Sequence, residues 1–187
     1  MRPNEIPSIN FAHILREGGT TQALGEIVGQ IELEHERIPL DGAAKWKASA
    51  TRVDGEQGLE FWLSGEIAGT ALLECARCLD PTPTPVRANF QYMLRYQNGL
   101  HGLEVVEEGD EEIFLFGNPS LDLTPFLSEA FALELPYTVL CREDCQGLCE
   151  HCGANLNRTP DCCEARKQPK EGKMAAALQK LNLEGLD

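Results

Sequence analysis

Basic residues are scarce in this 187-residue chain, which has 16 lysines and arginines against 30 aspartates and glutamates. The formal net charge is −14, and the isoelectric point is about 4.7. A surface this acidic repels nucleic-acid phosphates and anionic membranes, so binding to either would need a local basic patch or an intermediary. The charge balance therefore favours a basic protein as the partner.

Long apolar runs are also missing. The N-terminal segment has no apolar stretch typical of a signal peptide, and no segment approaches the roughly 18 apolar residues of a membrane span. We therefore expect a cytoplasmic protein with no membrane partner. In that compartment thiols stay reduced, so clustered cysteines favour metal binding over disulfides.

Motifs of catalysis are absent from the sequence. It contains no glycine-rich phosphate loop, no nucleophile elbow and no HExxH zinc motif. His13, His35 and His101 are scattered and form no ligand pair, and His151 is interpreted as an exposed spacer. We expect no catalytic residues, no small-molecule substrate and no enzymatic activity.

Aromatic residues make up only 6% of the chain and apolar residues 42%, which predicts a mainly aliphatic core. Residues 45–53 and 59–67 alternate around a glycine-rich turn, a pattern typical of a β-hairpin. Residues 87–96 also alternate and predict a strand, whereas residues 24–33 fit a strand or an amphipathic segment. The three prolines within residues 81–85 exclude a helix and a central strand.

Acidic residues crowd residues 97–112, which are predicted to form a loop. One interpretation is a solvated, mobile segment, and the other is a docking site for a basic partner. The six acidic side chains are Glu104, Glu107, Glu108, Asp110, Glu111 and Glu112. The short apolar run at residues 113–116 is interpreted as an edge strand.

Two helices are predicted. Possible caps at Asp122 and Thr124, Pro125 in the first turn and an apolar stripe indicate a helix over about residues 120–135. Residues 173–183 favour a C-terminal helix by propensity.

The predicted fold class is α+β: a mainly antiparallel sheet with one packed central helix, a cysteine-rich zinc-binding segment and a C-terminal helix. We expect residues 1–140 to form the sheet domain with its helix. Residues 141–187 would form the zinc knuckle and the C-terminal helix, packed on the same domain.

Eight cysteines are present, in an arrangement typical of metal sites. Cys75 and Cys78 form one C-x-x-C pair, and six more fall within 23 residues near the C-terminus: Cys141, Cys145, Cys149, Cys152, Cys162 and Cys163. A structural zinc ion takes four ligands in a closed tetrahedron, and C-x-x-C spacing lets one turn supply two of them.

Two partitions of the cysteines are possible, giving one or two structural zinc ions. In the first, site one is Cys75, Cys78, Cys141 and Cys145, and site two is Cys149, Cys152, Cys162 and Cys163. In the second, the six late cysteines supply one local site. We favour the first because it uses every turn-paired thiol and gives each site four ligands. A redox role for Cys75 and Cys78 is less favoured, since no βαβ pattern surrounds them.

Positive charge is concentrated around the cysteine-rich segment. It could provide solubility and helix-end charge, or a small contact face for RNA or protein. The candidate partner face consists of Arg77, Arg142, Arg158, Arg166 and Lys167.

Three segments give the chain a family resemblance: Cys75-Ala-Arg-Cys78-Leu79, the helix LDLTPFLSEAFALELP, and the block from Cys141 to Asn157. With these the sequence resembles the large ribosomal RNA subunit accumulation protein (YceD) family over about residues 45–183. The resemblance implies a non-enzymatic factor needed for normal accumulation of large-subunit 23S ribosomal RNA. On that basis the Cys75–Cys78 pair and the Cys141–Cys145 region belong to one site.

The leading hypothesis is a ribosome-biogenesis factor for 23S rRNA synthesis, processing or accumulation, which binds a basic large-subunit ribosomal protein or precursor rRNA. One alternative is a zinc-stabilised protein–protein adaptor unrelated to ribosomes. Another is a thiol redox or metal-trafficking protein.

Overall fold

The computed structural model describes residues 6–33, 35–55, 58–109 and 111–163. The chain divides into two compact units, Met1–Cys141 and Arg142–Asp187, which are described separately. Within the described residues, no helix is both long and apolar enough to cross a membrane. The C-terminal helix predicted for residues 173–183 lies outside the described residues.

The first unit is built from strands and two short helices. In chain order its described elements are β1 (Ser8–Asn10), α1 (Ala12–Glu17), β2 (Thr20–Glu32), β3 (Arg37–Gly55), β4 (Gly58–Glu74), β5 (Pro81–Tyr96), β6 (Leu103–Glu108), β7 (Glu111–Phe116), β8 (Ser120–Asp122) and α2 (Thr124–Leu133).

A six-stranded sheet organises this unit, in the order β2-β3-β4-β5-β7-β6. Neighbouring strands are antiparallel except β5 and β7, which are parallel. β1 and β8 form a separate two-stranded antiparallel sheet. With α2 packed against β5 and β4, the α+β class and the mainly antiparallel sheet are confirmed.

The predicted hairpin is confirmed as β3 and β4, which pair from Lys45 opposite Ala68 to Gly55 opposite Gly58. Alternate residues of both strands are buried, as one packed sheet face requires. Gly65 permits close packing there, because a Cβ at this position would collide with the Phe90 ring.

Phenylalanine has a larger part in the core than the composition predicts. All seven phenylalanines are buried. The rings of Phe11, Phe61 and Phe116 cluster with centroids 4.7, 5.2 and 5.9 Å apart. Phe114 meets Phe126 of α2 at 5.1 Å. Aliphatic residues are still the majority of the core, but edge-on ring contacts join α2 and the N-terminal segment to the sheet.

The prediction of a loop over residues 97–112 is wrong for half of these residues. Residues 103–108 form β6 and residues 111–112 begin β7, and the two strands pair with each other from Leu103 opposite Phe116 to Glu108 opposite Glu111. Charge density favoured a loop, but pairing with the buried residues of β7 decides the conformation. Residues 113–116 are also not an edge strand, because β7 lies between β5 and β6.

The proline-rich stretch at residues 81–85 is part of β5, paired with β4 from Pro81 opposite Glu74 to Pro85 opposite Thr70. Its three prolines alternate, so their nitrogens all point to the same side of the strand. Within the described residues, β7 pairs only with residues 93–96 of β5. The proline stretch therefore has a strand on one side only. If the proline nitrogens face the other side, the missing N–H groups leave no hydrogen bond unmade.

The central helix is shorter than the predicted residues 120–135, because Ser120–Asp122 form β8 and α2 begins at Thr124. Asp122 Oδ1 accepts a hydrogen bond from the Thr124 N–H at 2.8 Å, and Pro125 lies in the first turn as predicted. Five residues of α2 are buried and fix it on the sheet: Phe126, Leu127, Ser128, Ala130 and Phe131.

Arg95 of β5 holds the acidic end of the sheet together. Its guanidinium donates to Glu60 Oε1 at 2.7 and 2.9 Å and to the Glu108 carboxylate at 2.6 and 2.9 Å. Arg95 and Glu60 side chains are only 13% exposed. Arg95 thus links β5 to β4 through Glu60 and to β6 through Glu108. The hydrogen bonds from its guanidinium lower the pKa of Glu108.

We predict that Arg95→Met destabilises the protein by about 3 kcal/mol, because it leaves the buried Glu60 carboxylate without its cation. Urea denaturation gives the free energy of unfolding. Lys47→Met is the matched control: the Lys47–Glu66 pair is 68% and 40% exposed, and its loss should cost less than about 1 kcal/mol. Equal losses in the two variants would contradict this interpretation of Arg95.

Candidate metal centres

Cys75 and Cys78 lie in the tight turn between β4 and β5. The Cys75 N–H donates to the Asp80 carbonyl at 3.0 Å, and the Leu79 N–H donates to the Cys75 carbonyl at 2.9 Å. Leu79 has a φ of 61°, which is uncommon for a residue with a side chain. Both cysteines are buried, at 0% and 3% exposure.

The segment after α2 brings Cys141 to this turn. The Ala76 N–H donates to the Val139 carbonyl at 2.8 Å. Two contacts then place the thiols together: the Cys141 N–H lies 3.4 Å from Cys75 Sγ, and Cys78 Sγ lies 3.6 Å from Cys141 Sγ. The long gap in sequence between the two cysteine pairs is thus spanned by the sheet and α2.

The eight thiols fall into two sets, each with all four sulfur atoms within 4.8 Å of one another. Set one is Cys75, Cys78, Cys141 and Cys145, and set two is Cys149, Cys152, Cys162 and Cys163. This is the membership favoured in the first partition. All eight cysteines lie within the described residues, and no disulfide joins any two of them.

Backbone amides surround Cys75 Sγ. The N–H groups of Cys141, Arg77 and Cys78 lower the pKa of the Cys75 thiol to about 6, although burial opposes the shift. Amides that donate to sulfur stabilise a thiolate, which is the form that binds a metal.

Set two is built on a second tight turn. The Gly153 N–H donates to the Cys149 carbonyl, and the Cys149 N–H donates to the Ala154 carbonyl, both at 2.8 Å. Gly153, which follows this C-x-x-C pair, has a φ of 72°, a left-handed conformation that glycine adopts without strain. A bridge between Leu148 and Asn155 closes the turn.

The adjacent cysteines of set two both reach the cluster. Cys162 Sγ lies 3.6 Å from Cys152 Sγ, and Cys163 is buried. Amides of His151 and Cys152 lower the pKa of Cys149 to about 6. Burial first, then hydrogen bonds to Cys149 and Cys152, raise the pKa of Cys162 to about 12. The negative charge of one thiolate therefore disfavours ionisation of the neighbouring thiol. A bound cation would offset this repulsion between the thiolates.

The geometry and chemistry of both sets fit a metal ion. Tetrahedral bonds of about 2.3 Å to zinc separate two ligand sulfurs by about 3.8 Å. The Cys78–Cys141 and Cys152–Cys162 distances are both 3.6 Å, whereas a disulfide requires about 2.05 Å. Four thiolates are a soft donor set that favours Zn²⁺ or iron–sulfur clusters over Mg²⁺ or Ca²⁺. Both sets could thus hold a metal ion.

Asn157 is a site residue that the sequence patterns did not indicate. Its side-chain nitrogen donates to Cys145 Sγ at 3.3 Å, and its side-chain oxygen accepts the Gln146 N–H at 2.8 Å. Such a donor to sulfur orients a ligand and stabilises its negative charge. The sequence signal that could have indicated it is the presence of two asparagines, Asn155 and Asn157, after Cys152. Asparagine side chains often form hydrogen bonds to nearby backbone groups in turns.

The candidate basic face is only partly described. Arg77 is exposed in the first unit, and Arg142 and Arg158 are exposed in the second. Arg142 lies 3.5 Å from Asp144. Arg166 and Lys167 lie outside the described residues. A common partner face remains a prediction.

Comparisons with known proteins place these cysteines in a family context. The family model "Large ribosomal RNA subunit accumulation protein YceD" matches residues 63–182, which include all eight cysteines. No solved structure gives a significant match.

Three relatives illustrate the similarity. An "Uncharacterized protein" of Mycobacterium tuberculosis is 31% identical over 62% of this chain and 55% of its own length. "Large ribosomal RNA subunit accumulation protein YCED homolog 1, chloroplastic" from Zea mays is 28% identical over 56% of this chain and 44% of its own. The protein of the same name from Arabidopsis thaliana is 25% identical over 58% of this chain and 40% of its own length.

The chain spans about half the length of the curated relatives that it matches. The family model nevertheless covers well over half of the chain, from β4 through the cysteine-rich segment. The protein therefore belongs to the large ribosomal RNA subunit accumulation protein YceD family.

Proposed function

We propose that this protein is a non-enzymatic factor that supports accumulation of large-subunit 23S ribosomal RNA. The observation that carries the proposal is membership of the YceD family, together with the names of the maize and Arabidopsis relatives. Action in the cytoplasm is part of the same proposal.

The thiol sets support a structural role for the metal. Each set has four cysteine ligands for one ion, and a zinc ion with four protein ligands has no open position for water or substrate. We therefore propose two structural zinc ions. In set one, the ion would fix the turn after β4 against the segment that follows α2.

A basic large-subunit ribosomal protein is the favoured direct partner, ahead of precursor rRNA. Between Arg95 and Arg142 the chain has no lysine or arginine, although this stretch contains nine acidic residues. Phosphate backbones are repelled by such a surface, whereas a cationic protein is attracted to it. The acidic strands β6 and β7 and the helix α2 lie in this stretch.

A thiol redox or metal-trafficking protein is the second candidate. The hydrogen bonds from the amides of Cys141, Arg77 and Cys78 favour it, because they lower the pKa of Cys75 to about 6 and a thiolate is the reactive form, although Cys75 is 0% exposed. The two candidates differ in how firmly the metal is held: a structural ion stays bound through purification, whereas a trafficking site releases it.

We predict two zinc ions per chain in protein purified without oxygen, one for each thiol set. Cys78→Ser and Cys152→Ser should each lower the content to one, because each removes a ligand from a different set. Mass spectrometry under native conditions gives the stoichiometry.

The matched control is His151→Ala. His151 lies between Cys149 and Cys152, but its ring pairs with Glu150 at 3.4 Å and belongs to neither set. It should keep both ions. A single zinc that survives Cys78→Ser would favour the local-site partition, and a folded chain without metal would refute structural zinc.

We predict that deletion of the gene lowers 23S rRNA relative to 16S rRNA in the host cell. The wild-type gene should restore the ratio, and the Cys78→Ser gene should not, because the turn after β4 loses its metal. Quantitative electrophoresis of total RNA measures the ratio.

His151→Ala serves as the matched control again and should restore the ratio fully. An unchanged ratio after deletion would contradict the proposed function, whatever the metal content.

A further inference from the structure

A second site lies away from the thiols, at the edge of the six-stranded sheet. A cavity of about 420 Å³ opens between β2 and the first turns of α2. Apolar side chains form much of its wall, among them Ile27, Val28 and Ile31 of β2. Two of its apolar residues are unusually exposed: Ile6 at 65% and Val28 at 57%. A cavity whose wall combines apolar and polar side chains, with exposed apolar residues beside them, is a candidate binding site.

The cavity contains a buried hydroxyl group with no partner. Ser128 of α2 lines the cavity and is only 4% exposed. Within the described residues, its Oγ has no hydrogen-bond partner. Buried polar groups are almost always paired, so an orphaned hydroxyl on a cavity wall points to a ligand that supplies the bond.

The opposite wall of the cavity is an open strand edge. β2 is the first strand of the sheet, and β3 is its hydrogen-bonded neighbour. Within the described residues, no strand pairs with its other side, although β1 and α1 contact β2 and a bulge interrupts its register between Val28 and Gln30. An extended peptide can add to such an edge through main-chain bonds and place alternate side chains in an adjacent pocket.

Charge selects the chemistry of that peptide. Among the described residues, the cavity lining includes Glu26 and Glu32 and no lysine or arginine. The cross-strand neighbours of these two residues on β3 are Lys45 and Arg37, but the described ion pairs include neither contact, and Glu32 Oε1 accepts a hydrogen bond from the Gln30 side chain at 2.8 Å. A peptide with lysine or arginine beside its apolar residues is complementary to this lining.

We propose that the groove between β2 and α2 binds an extended segment of a basic partner protein. The segment adds a strand to the edge of β2, inserts one apolar side chain into the cavity and makes a hydrogen bond to Ser128 Oγ. Its basic residues face Glu26 and Glu32. This proposal rests on the proposed function in one respect: the basic partner would be the ribosomal protein proposed above.

The test uses the full chain and a fluorescent heptapeptide in which lysines alternate with valine or isoleucine. Fluorescence anisotropy should give saturable binding. A peptide with serine in place of the apolar residues, and one with glutamate in place of lysine, should each bind at least about tenfold more weakly, because one lacks the anchor and the other is repelled.

Val28→Arg should weaken binding of the lysine peptide by at least about tenfold, because it places a cation in the groove. Asn89→Arg is the control. Asn89 is exposed on β5, three strands away from β2 in the sheet, and lies outside both the cavity lining and the acidic stretch that follows Arg95. It should change affinity by less than about twofold, the range of a remote surface charge.

Ser128→Ala separates ligand binding from a structural role. It removes a hydroxyl that lacks a partner, so the melting temperature should stay the same or rise. Affinity for the lysine peptide should nevertheless fall about fivefold, the size of one neutral hydrogen bond. An unchanged affinity would overturn the role of Ser128.

Three results would overturn the proposal. One is equal weakening by Val28→Arg and Asn89→Arg, which would indicate non-specific attraction to the acidic surface. Another is a gain of tenfold or more when residues 1–5 are deleted, which would identify the chain's own N-terminal residues as the occupant. The last is oligouridylate binding that is sensitive to Val28→Arg.

The proposal and the proposed function fail separately. If the peptide does not bind but deletion of the gene lowers 23S rRNA, the groove is refuted and the function stands. If the peptide binds as described and the rRNA ratio is unchanged, the function is refuted and the groove stands.

Discussion

The proximity of four sulfur atoms, all within 4.8 Å of one another in each of two sets, governs how the cysteine-bearing turns are arranged. Thiolates this close repel one another, so the arrangement is favourable when a divalent cation lies among them. In set one, pairing of Glu74 with Pro81 fixes the start of the turn that presents Cys75 and Cys78. The segment after α2 then brings Cys141 to the same point, so the turn after β4 and this segment meet at the thiols.

Much of the fold followed from local patterns. The alternation around Gly55 and Gly58 predicted the central hairpin, and Pro125 marked the first turn of α2. The membership of the thiol sets followed from spacing and ligand number, since two turns supply two thiols each. These features can be predicted from the sequence because each has its physical cause in a few neighbouring residues.

Other features depend on partners distant in sequence. The acidic stretch at residues 103–108 is a strand because β7 pairs with it and Arg95 neutralises Glu108, and neither contact is visible locally. The prolines of residues 81–85 are tolerated because that part of β5 has a strand on one side only. Asn157 contacts Cys145 through the fold of the knuckle, which spacing alone does not indicate.

We propose that the thiols hold zinc as a structural scaffold and that a basic partner binds the acidic surface of the sheet and helix. X-ray absorption at the zinc edge of the purified protein tests whether the thiols are the zinc ligands. We expect a first shell of four sulfur atoms at about 2.3 Å and no light-atom ligand. A shell that contains nitrogen or oxygen in place of sulfur would contradict the closed four-thiolate sites, and with them the structural role of the metal.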